Sequence, residues 1–183
     1  ASRSVLAQSK DYGVSAWEDK PCSPEQIAAI RSASKWQIIF GGNYFELGPT
    51  SCWLVWDKQN GDNDFADCEL AWTNLPKAVR RIYWRWHGMI RKGQEERVHP
   101  TQKPLGVMEW CLTHIPDAKT ICDPFMGSGT TGVAAVKLGR RFTGIEIDGG
   151  YFDIACKRIE AALKQPDMFI EPPKPAKREA LSL

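Results

Sequence analysis

Two kinds of apolar pattern alternate along the chain. WQIIF (Trp36 to Phe40) and CWLVW (Cys52 to Trp56) are short continuous apolar runs, which predicts central strands covered on two faces. CELAW (Cys68 to Trp72) and VRRIYWRW (Val79 to Trp86) alternate instead, with Ile82, Trp84 and Trp86 on one face of the second and Arg81, Tyr83 and Arg85 on the other. They predict a pair of half-exposed strands, antiparallel to each other.

Helix signals fill the rest. Ser23-Pro24-Glu25-Gln26 has the form of a capping box with proline at the first helical position, and Ile27 and Ile30 supply the inward stripe. After the loop GMIRKGQEERVHPTQKP, Val107, Cys111, Leu112 and Ile115 fall at inward spacings of a helix from Leu105 to Ile115. TICD (Thr120 to Asp123) predicts a strand, Thr130 to Leu138 a helix stopped by Gly139, FTGIEI a further strand and Tyr151 to Leu163 a closing helix. The proline-rich, charged tail from Lys164 predicts disorder. The fold class is α/β: a Rossmann-like, mixed and mostly parallel sheet with helices on both faces, one domain over residues 1–163 and a tail over 164–183.

Composition narrows this little. The 183 residues suit one domain with a real core. No apolar run approaches the roughly 20 residues of a membrane helix, so no membrane partner is expected. The six cysteines are scattered, form no C-x-x-C pair and several lie in apolar runs, which points to reduced, buried thiols in a cytoplasm. No signal-peptide pattern opens the chain, and its first residue is Ala1 rather than methionine, as expected of a processed chain or one without its natural beginning. Charge is more telling than the net +2 suggests. Five acids face one base between Asp57 and Glu69, whereas eight bases face Glu95 and Glu96 between Lys77 and Lys103. That basic block, with Arg81, Tyr83, Arg85, Arg91, Lys92 and Arg97 as its candidate contacts, reads either as a nucleic-acid surface or as a solvated charged face.

The chemistry concentrates in DPFMGSGTTG and GRRFTGIEID. Gly127, Gly129 and Gly132 fit G-x-G-x-x-G in a strand-turn-helix setting, with the acid Glu146 about twenty residues after the first glycine. In a dinucleotide site, the turn amides and the helix N-terminus would hold a pyrophosphate. Here Asp123 stands at the end of the strand, where its carboxylate repels phosphate, and Pro124 removes an amide. A ligand carrying positive charge suits that carboxylate better, and the ammonium and sulfonium of S-adenosylmethionine supply it, with Glu146 accepting from ribose hydroxyls. A Walker loop is disfavoured because no lysine precedes Thr130 or Thr131. NAD remains the alternative that the glycine pattern alone would favour.

HPTQKP (His99 to Pro104), DPFMGSGTT (Asp123 to Thr131) and FTGIEID (Phe142 to Asp148), in this order and spacing, resemble the circularly permuted group of DNA amino-methyltransferases, which methylate adenine N6 or cytosine N4. The resemblance covers roughly Trp36 to Leu163. It implies S-adenosylmethionine as cofactor and double-stranded DNA as partner. It puts Thr101, Gln102 and Lys103 near the cofactor's carboxylate, Asp123 near its ammonium and Glu146 on its ribose, with Phe125, Gly127, Ser128, Gly129, Thr130 and Thr131 forming the turn. No metal is implied. The oligomeric state stays open, a homodimer included. His99 on its own carries no catalytic role.

The resemblance also implies a flipped base, because the target amine is inaccessible inside a duplex. In the family, Asp, Asn or Ser followed by Pro-Pro and an aromatic receives that base. Here the only acid before two prolines is Glu171-Pro172-Pro173, followed by Lys174 in the tail, a chance match. Residues 1–20, with Asp11, Tyr12, Gly13 and Trp17, resemble the mobile loop that follows the motif. The catalytic residues are therefore unassigned, and the expectation is a chain beginning just after its catalytic strand. Three readings follow: the cofactor- and DNA-binding part of such an enzyme, a non-catalytic DNA-binding remnant, and a nicotinamide-dependent oxidoreductase. Adenine is the expected target, and no separate target-recognition domain is evident.

Overall fold

The structure, a computed structural model, describes residues 21–61, 65–87, 90–91 and 97–165. Helix α1 (Pro24–Ser32) starts as its sequence dictates: the Ser23 hydroxyl accepts from the Gln26 amide, and the Gln26 side chain accepts from the Ser23 amide at 2.9 Å. Strand β1 (Ile38–Phe40) follows, then a single 3-10 turn at Gly42–Tyr44.

Strands β2 (Trp53–Asp57), β3 (Cys68–Thr73) and β4 (Arg80–Tyr83) join β1 in a four-stranded sheet of order β1-β3-β2-β4. β3 runs antiparallel to both neighbours, and β4 is parallel to β2 with Trp56 opposite Ile82. The sheet is covered on both faces, and the pleat decides which residue goes where. Ile38, Phe40, Leu54, Trp56 and Ala71 pack with helix α2 (Leu105–Thr113), whereas Ile39, Trp53 and Trp72 pack with Ile27 of α1 and with Leu47.

Two expectations about this sheet are corrected. WQIIF is covered on two faces, yet among the described residues β1 pairs on one side alone and ends the sheet. CELAW and VRRIYWRW do not pair with each other, because β2 lies between them. The alternation in CELAW reflects one half-buried end. Its other end, Ala71 to Thr73, is buried among neighbours on two sides, so β3 takes the interior place that a half-exposed strand would not. The alternation in VRRIYWRW does describe its faces: Ile82 and Trp84 are half-buried and Trp86 buried, while Arg81, Tyr83 and Arg85 are exposed. The strand breaks after Tyr83, and β5 (Trp86–His87) pairs antiparallel with β6 (Ile90–Arg91).

The second half is a βαβ unit. Strand β7 (Thr120–Asp123) is parallel to β8 (Arg141–Gly144), and helix α3 (Thr130–Lys137) connects them. Gly139, in the left-handed region at φ 66°, stops that helix as expected. Helix α4 (Gly149–Lys164) starts on an Asp148 cap that accepts from the Tyr151 amide, so it begins two residues earlier than expected and includes Lys164. The strand foreseen through Ile147 ends at Gly144, because β7 itself stops at Asp123: the Ile145 amide donates to the Asp123 carbonyl, and the Ile145 carbonyl accepts from the Met126 amide of the glycine turn rather than from a strand. Cys52, Leu54, Val107, Cys111, Ile121, Ala134 and Ala135 share one core, so both sheet pieces belong to one body. Burial pushes the Cys111 thiol up to about 12, and no described cysteine is in a disulfide. The 1–20 loop and the tail from residue 166 lie outside the described residues. No helix among the described residues is long and apolar enough to cross a membrane.

Candidate cofactor site and nucleic-acid face

The carboxyl ends of β7 and β8 build the site, the position where ligands bind in open α/β sheets. Asp123 ends β7 and is held by two donors. Its Oδ1 accepts from the Phe125 amide at 3.0 Å and its Oδ2 from the Thr131 hydroxyl at 2.6 Å. The carboxylate therefore lies against the first turn of α3, whose amides have no intrahelical partner and favour negative charge. With that place taken by a fixed anion, a phosphate there would meet like charge.

Glu146 braces the other side. Its Oε2 accepts from the Gly127 amide at 2.8 Å and its Oε1 from the Asp148 amide at 2.9 Å. A carboxylate offers about four lone-pair positions, so both acids retain acceptor capacity beyond these bonds. The turn closes through the Met126 amide to the Ile145 carbonyl at 3.0 Å and the Gly129 amide to the Met126 carbonyl at 2.8 Å. Gly129, at φ 78°, is the N-cap of α3 and sits directly on Ala155 of α4. Around this turn Phe125, Ile145 and Ile147 are exposed, Ile147 to 88%. Two anchored carboxylates with spare acceptor capacity and an apolar rim form a lining suited to a ligand with a cationic end, hydroxyls and a flat apolar part.

The 97–104 loop forms the opposite wall. His99 is buried, and its ring packs on Tyr151 with centroids 4.2 Å apart. Its Nδ1 accepts from the Thr101 amide at 3.2 Å, and a Cβ on Gly127 would stand 3.4 Å from its Nε2, so the imidazole lies beneath the turn. Burial, reinforced by Lys103 and Arg97 and opposed by Glu146 and Asp148, holds the imidazole below its ordinary 6.5. Gln102 is buried, and its Oε1 accepts from the Val98 amide at 2.9 Å and the Ser128 hydroxyl at 3.3 Å, joining loop to turn. Lys103 points away from the turn. Its ammonium is 3.6 Å from Glu69 Oε2 and 4.8 Å from the centroid of the Phe40 ring, so it ties the loop to the four-stranded sheet. Glu69 also binds Lys58 at 2.9 Å.

The basic residues divide. Arg81, Tyr83 and Arg85 share an exposed face, with the Arg81 guanidinium 4.4 Å above the Tyr83 ring and 3.9 Å from Asp57. Arg97 is half-buried and donates to the His99 carbonyl at 3.2 Å, which places it with the loop rather than on that face. Arg91 contributes its backbone to β6; its side chain and all of Lys92 lie outside the described residues. Among the described residues no group of His, Cys, Asp or Glu is placed to hold a metal.

Sequence reasoning discounted His99 and did not single out Ile147, Tyr151 or Arg158. Ile147 and Tyr151 follow Glu146 closely enough to have been included with it. His99 opens HPTQKP, but its packing on Tyr151 and beneath Gly127 joins residues distant in sequence, and Arg158 gave no local signal because its partners lie about thirty positions away.

Residues 29–157 match the DNA methylase family of the N6/N4 type. The chain belongs to that family. Among curated proteins it is similar to the type II methyltransferase M2.DpnII of Streptococcus pneumoniae, 48% identical over 79 residues that make up 42% of this chain and 30% of that protein. It is similar also to M.ScaI of Streptomyces caespitosus, 45% identical over 75 residues, 40% of this chain and 25% of that one. The matched stretch thus spans a third or less of these relatives. Among solved structures, M1.HpyAVI in complex with SAM aligns over 75% of this chain and 71% of its own, at 29% identity and a TM-score of 0.42.

Proposed function

We propose that this chain carries the S-adenosylmethionine-binding and DNA-facing part of a DNA methyltransferase that acts on the exocyclic amine of a flipped base, adenine N6 in our reading. The observation that carries this is the pair of anchored carboxylates, Asp123 at the N-terminus of α3 and Glu146 across the glycine turn, in a loop that otherwise has the form of a phosphate site. Asp123 meets the ligand's ammonium, Glu146 its ribose hydroxyls, and Phe125 and Ile147 its flat base. Gln102 bonds Ser128 of the same turn, and Thr101 bonds the far edge of the His99 ring that lies beneath it.

When bound, the cofactor supplies an electrophilic methyl group on a sulfonium. The chain's own residues bind and orient: the turn fixes the ligand, the 97–104 loop forms the opposite wall, and the Arg81, Tyr83 and Arg85 face holds phosphates beside the extruded base. The group that accepts the amine's hydrogens is unassigned, because no Asp, Asn or Ser is followed by Pro-Pro and an aromatic in the sequence.

Calorimetry with S-adenosylhomocysteine and with NAD tests the cofactor reading: the first is expected to bind and the second not. The reverse order would establish a nicotinamide protein. Transfer of a labelled methyl group to unmethylated DNA then tests the reaction. We expect this chain to bind the cofactor and to transfer nothing at a useful rate, and robust transfer would mean that residues other than an Asp, Asn or Ser before Pro-Pro and an aromatic accept the amine's hydrogens.

A further inference from the structure

The cofactor turn is held from below by a residue that lies outside every motif of the site. Arg158 is on the inner face of α4, one turn after Ala155, the fully buried residue on which Gly129 rests. Its Nη1 donates to the Ser128 carbonyl at 2.6 Å, to the Ser128 hydroxyl at 2.9 Å and to the Thr130 hydroxyl at 3.2 Å. Ser128 and Thr130 are themselves buried, at 3% and 6% exposure. The same Ser128 hydroxyl donates to Gln102 Oε1, which also accepts from the Val98 amide. One guanidinium nitrogen therefore meets both residues that flank Gly129 and, through one hydroxyl, the loop that forms the opposite wall.

We propose that Arg158 is a positioning residue of the cofactor site: it sets the glycine turn and, through Ser128 and Gln102, sets the distance between that turn and the 97–104 loop. The inference rests on the cofactor reading above. The physical reason is the mismatch between what the turn needs and what it can supply. Left-handed glycines permit the turn's shape but do not enforce it, since glycine reaches many conformations at little cost. Bonds from a charged donor to the Ser128 carbonyl and to two flanking hydroxyls remove that freedom before the ligand arrives, so less ordering is left for binding to offset. Arginine suits the place better than lysine, because its planar group keeps a fixed direction and is pre-organised for several acceptors.

The test uses Arg158→Gln and Arg158→Lys in this chain, with S-adenosylhomocysteine as the probe. Loss of charged hydrogen bonds predicts affinity weakened by about tenfold to a hundredfold in Arg158→Gln, with partial recovery in Arg158→Lys. Combined with Gln102→Ala, the loss should be less than additive, because both residues act through Ser128. Ser128→Ala provides the same reading if Arg158→Gln does not fold. Hydrogen exchange at the amides of Gly127 to Thr131 in the ligand-free protein separates the two ideas. If the parent chain binds no probe, the cofactor reading fails, while faster exchange in Arg158→Gln still supports the positioning role. A lowered melting temperature with unchanged affinity and unchanged exchange at the turn would overturn it, leaving Arg158 an ordinary fold contact.

Discussion

Replacing Gly129 by alanine tests how tightly α4 carries the glycine turn. Two separate costs arise. The residue sits at φ 78°, a region that costs an L-residue about 1–2 kcal/mol. The new methyl would also stand 2.8 Å from Ala155 Cβ, 3.0 Å from its Cα and 3.3 Å from its carbonyl oxygen. Two of these are backbone atoms of a packed helix and cannot swing aside, so overpacking adds about 1–3 kcal/mol. The sum, about 2–5 kcal/mol, is a large share of the roughly 5–15 kcal/mol that holds an ordinary domain together. Gly139→Ala is the built-in control. It has nearly the same backbone angle, φ 66°, but its methyl would meet nothing within 4 Å, so only the conformational cost of about 1–2 kcal/mol applies. Urea unfolding of both variants, compared at equal slope, measures the difference. Gly129→Ala should lose more stability by the packing cost and should also weaken S-adenosylhomocysteine binding, whereas Gly139→Ala should bind like the parent. Equal stability losses would refute the claim that Ala155 abuts the turn.

Other measurements probe separate parts of the site. Asp123→Ala should weaken S-adenosylhomocysteine by about 1.5–3 kcal/mol, the range for a hydrogen bond to a charged group, and unchanged affinity in both Asp123→Ala and Glu146→Ala would sink the site assignment. His99 has a folded pKa below its unfolded 6.5, so the unfolded chain binds the extra proton first and stability present above that pH should be lost as pH falls below it. His114 is lowered as well, by burial with Lys77 and Arg80 nearby, so the His99→Gln protein should keep part of this dependence and lose the rest; an identical pH profile would contradict the burial of His99. Duplex DNA binding should weaken with salt at a log–log slope near −0.9 for each phosphate neutralised. Alanine at Arg81, Arg85, Arg91 and Lys92 should flatten that slope, and an intact slope would mean that the basic block is only a solvated face.

Much of this protein is dictated by short-range chemistry and is therefore legible in the sequence. The Ser23 and Gln26 capping box, the stop at Gly139 and strand β7 each depend on residues within a few positions of one another. The outward face of Arg81, Tyr83 and Arg85 follows from the two-residue period of a strand, whatever that strand pairs with. Asp123 stands directly before the glycine turn it braces, whereas Glu146 reaches Gly127 across 19 positions and was legible through the spacing of the glycine motif rather than through its neighbours.

Pairing partners and long side chains obey other rules. Which strand lies beside β3 depends on two-sided burial that an alternating pattern does not encode, so CELAW went between β1 and β2 rather than beside VRRIYWRW. Lys103 adjoins Gln102 in the chain, yet its long stem carries the ammonium to Glu69 and Phe40, where a carboxylate and a ring face compensate it. Arg158 reaches Ser128 across thirty positions of sequence. Neither its residue type nor its spacing distinguishes it from a solvated helix arginine, and only the packing of Ala155 beneath Gly129 brings its guanidinium to the turn. The sequence by itself determined the local geometry and the chemical character of the turn. The tertiary structure decided which distant groups hold it, because those contacts exist only when the sheet and α4 are packed together.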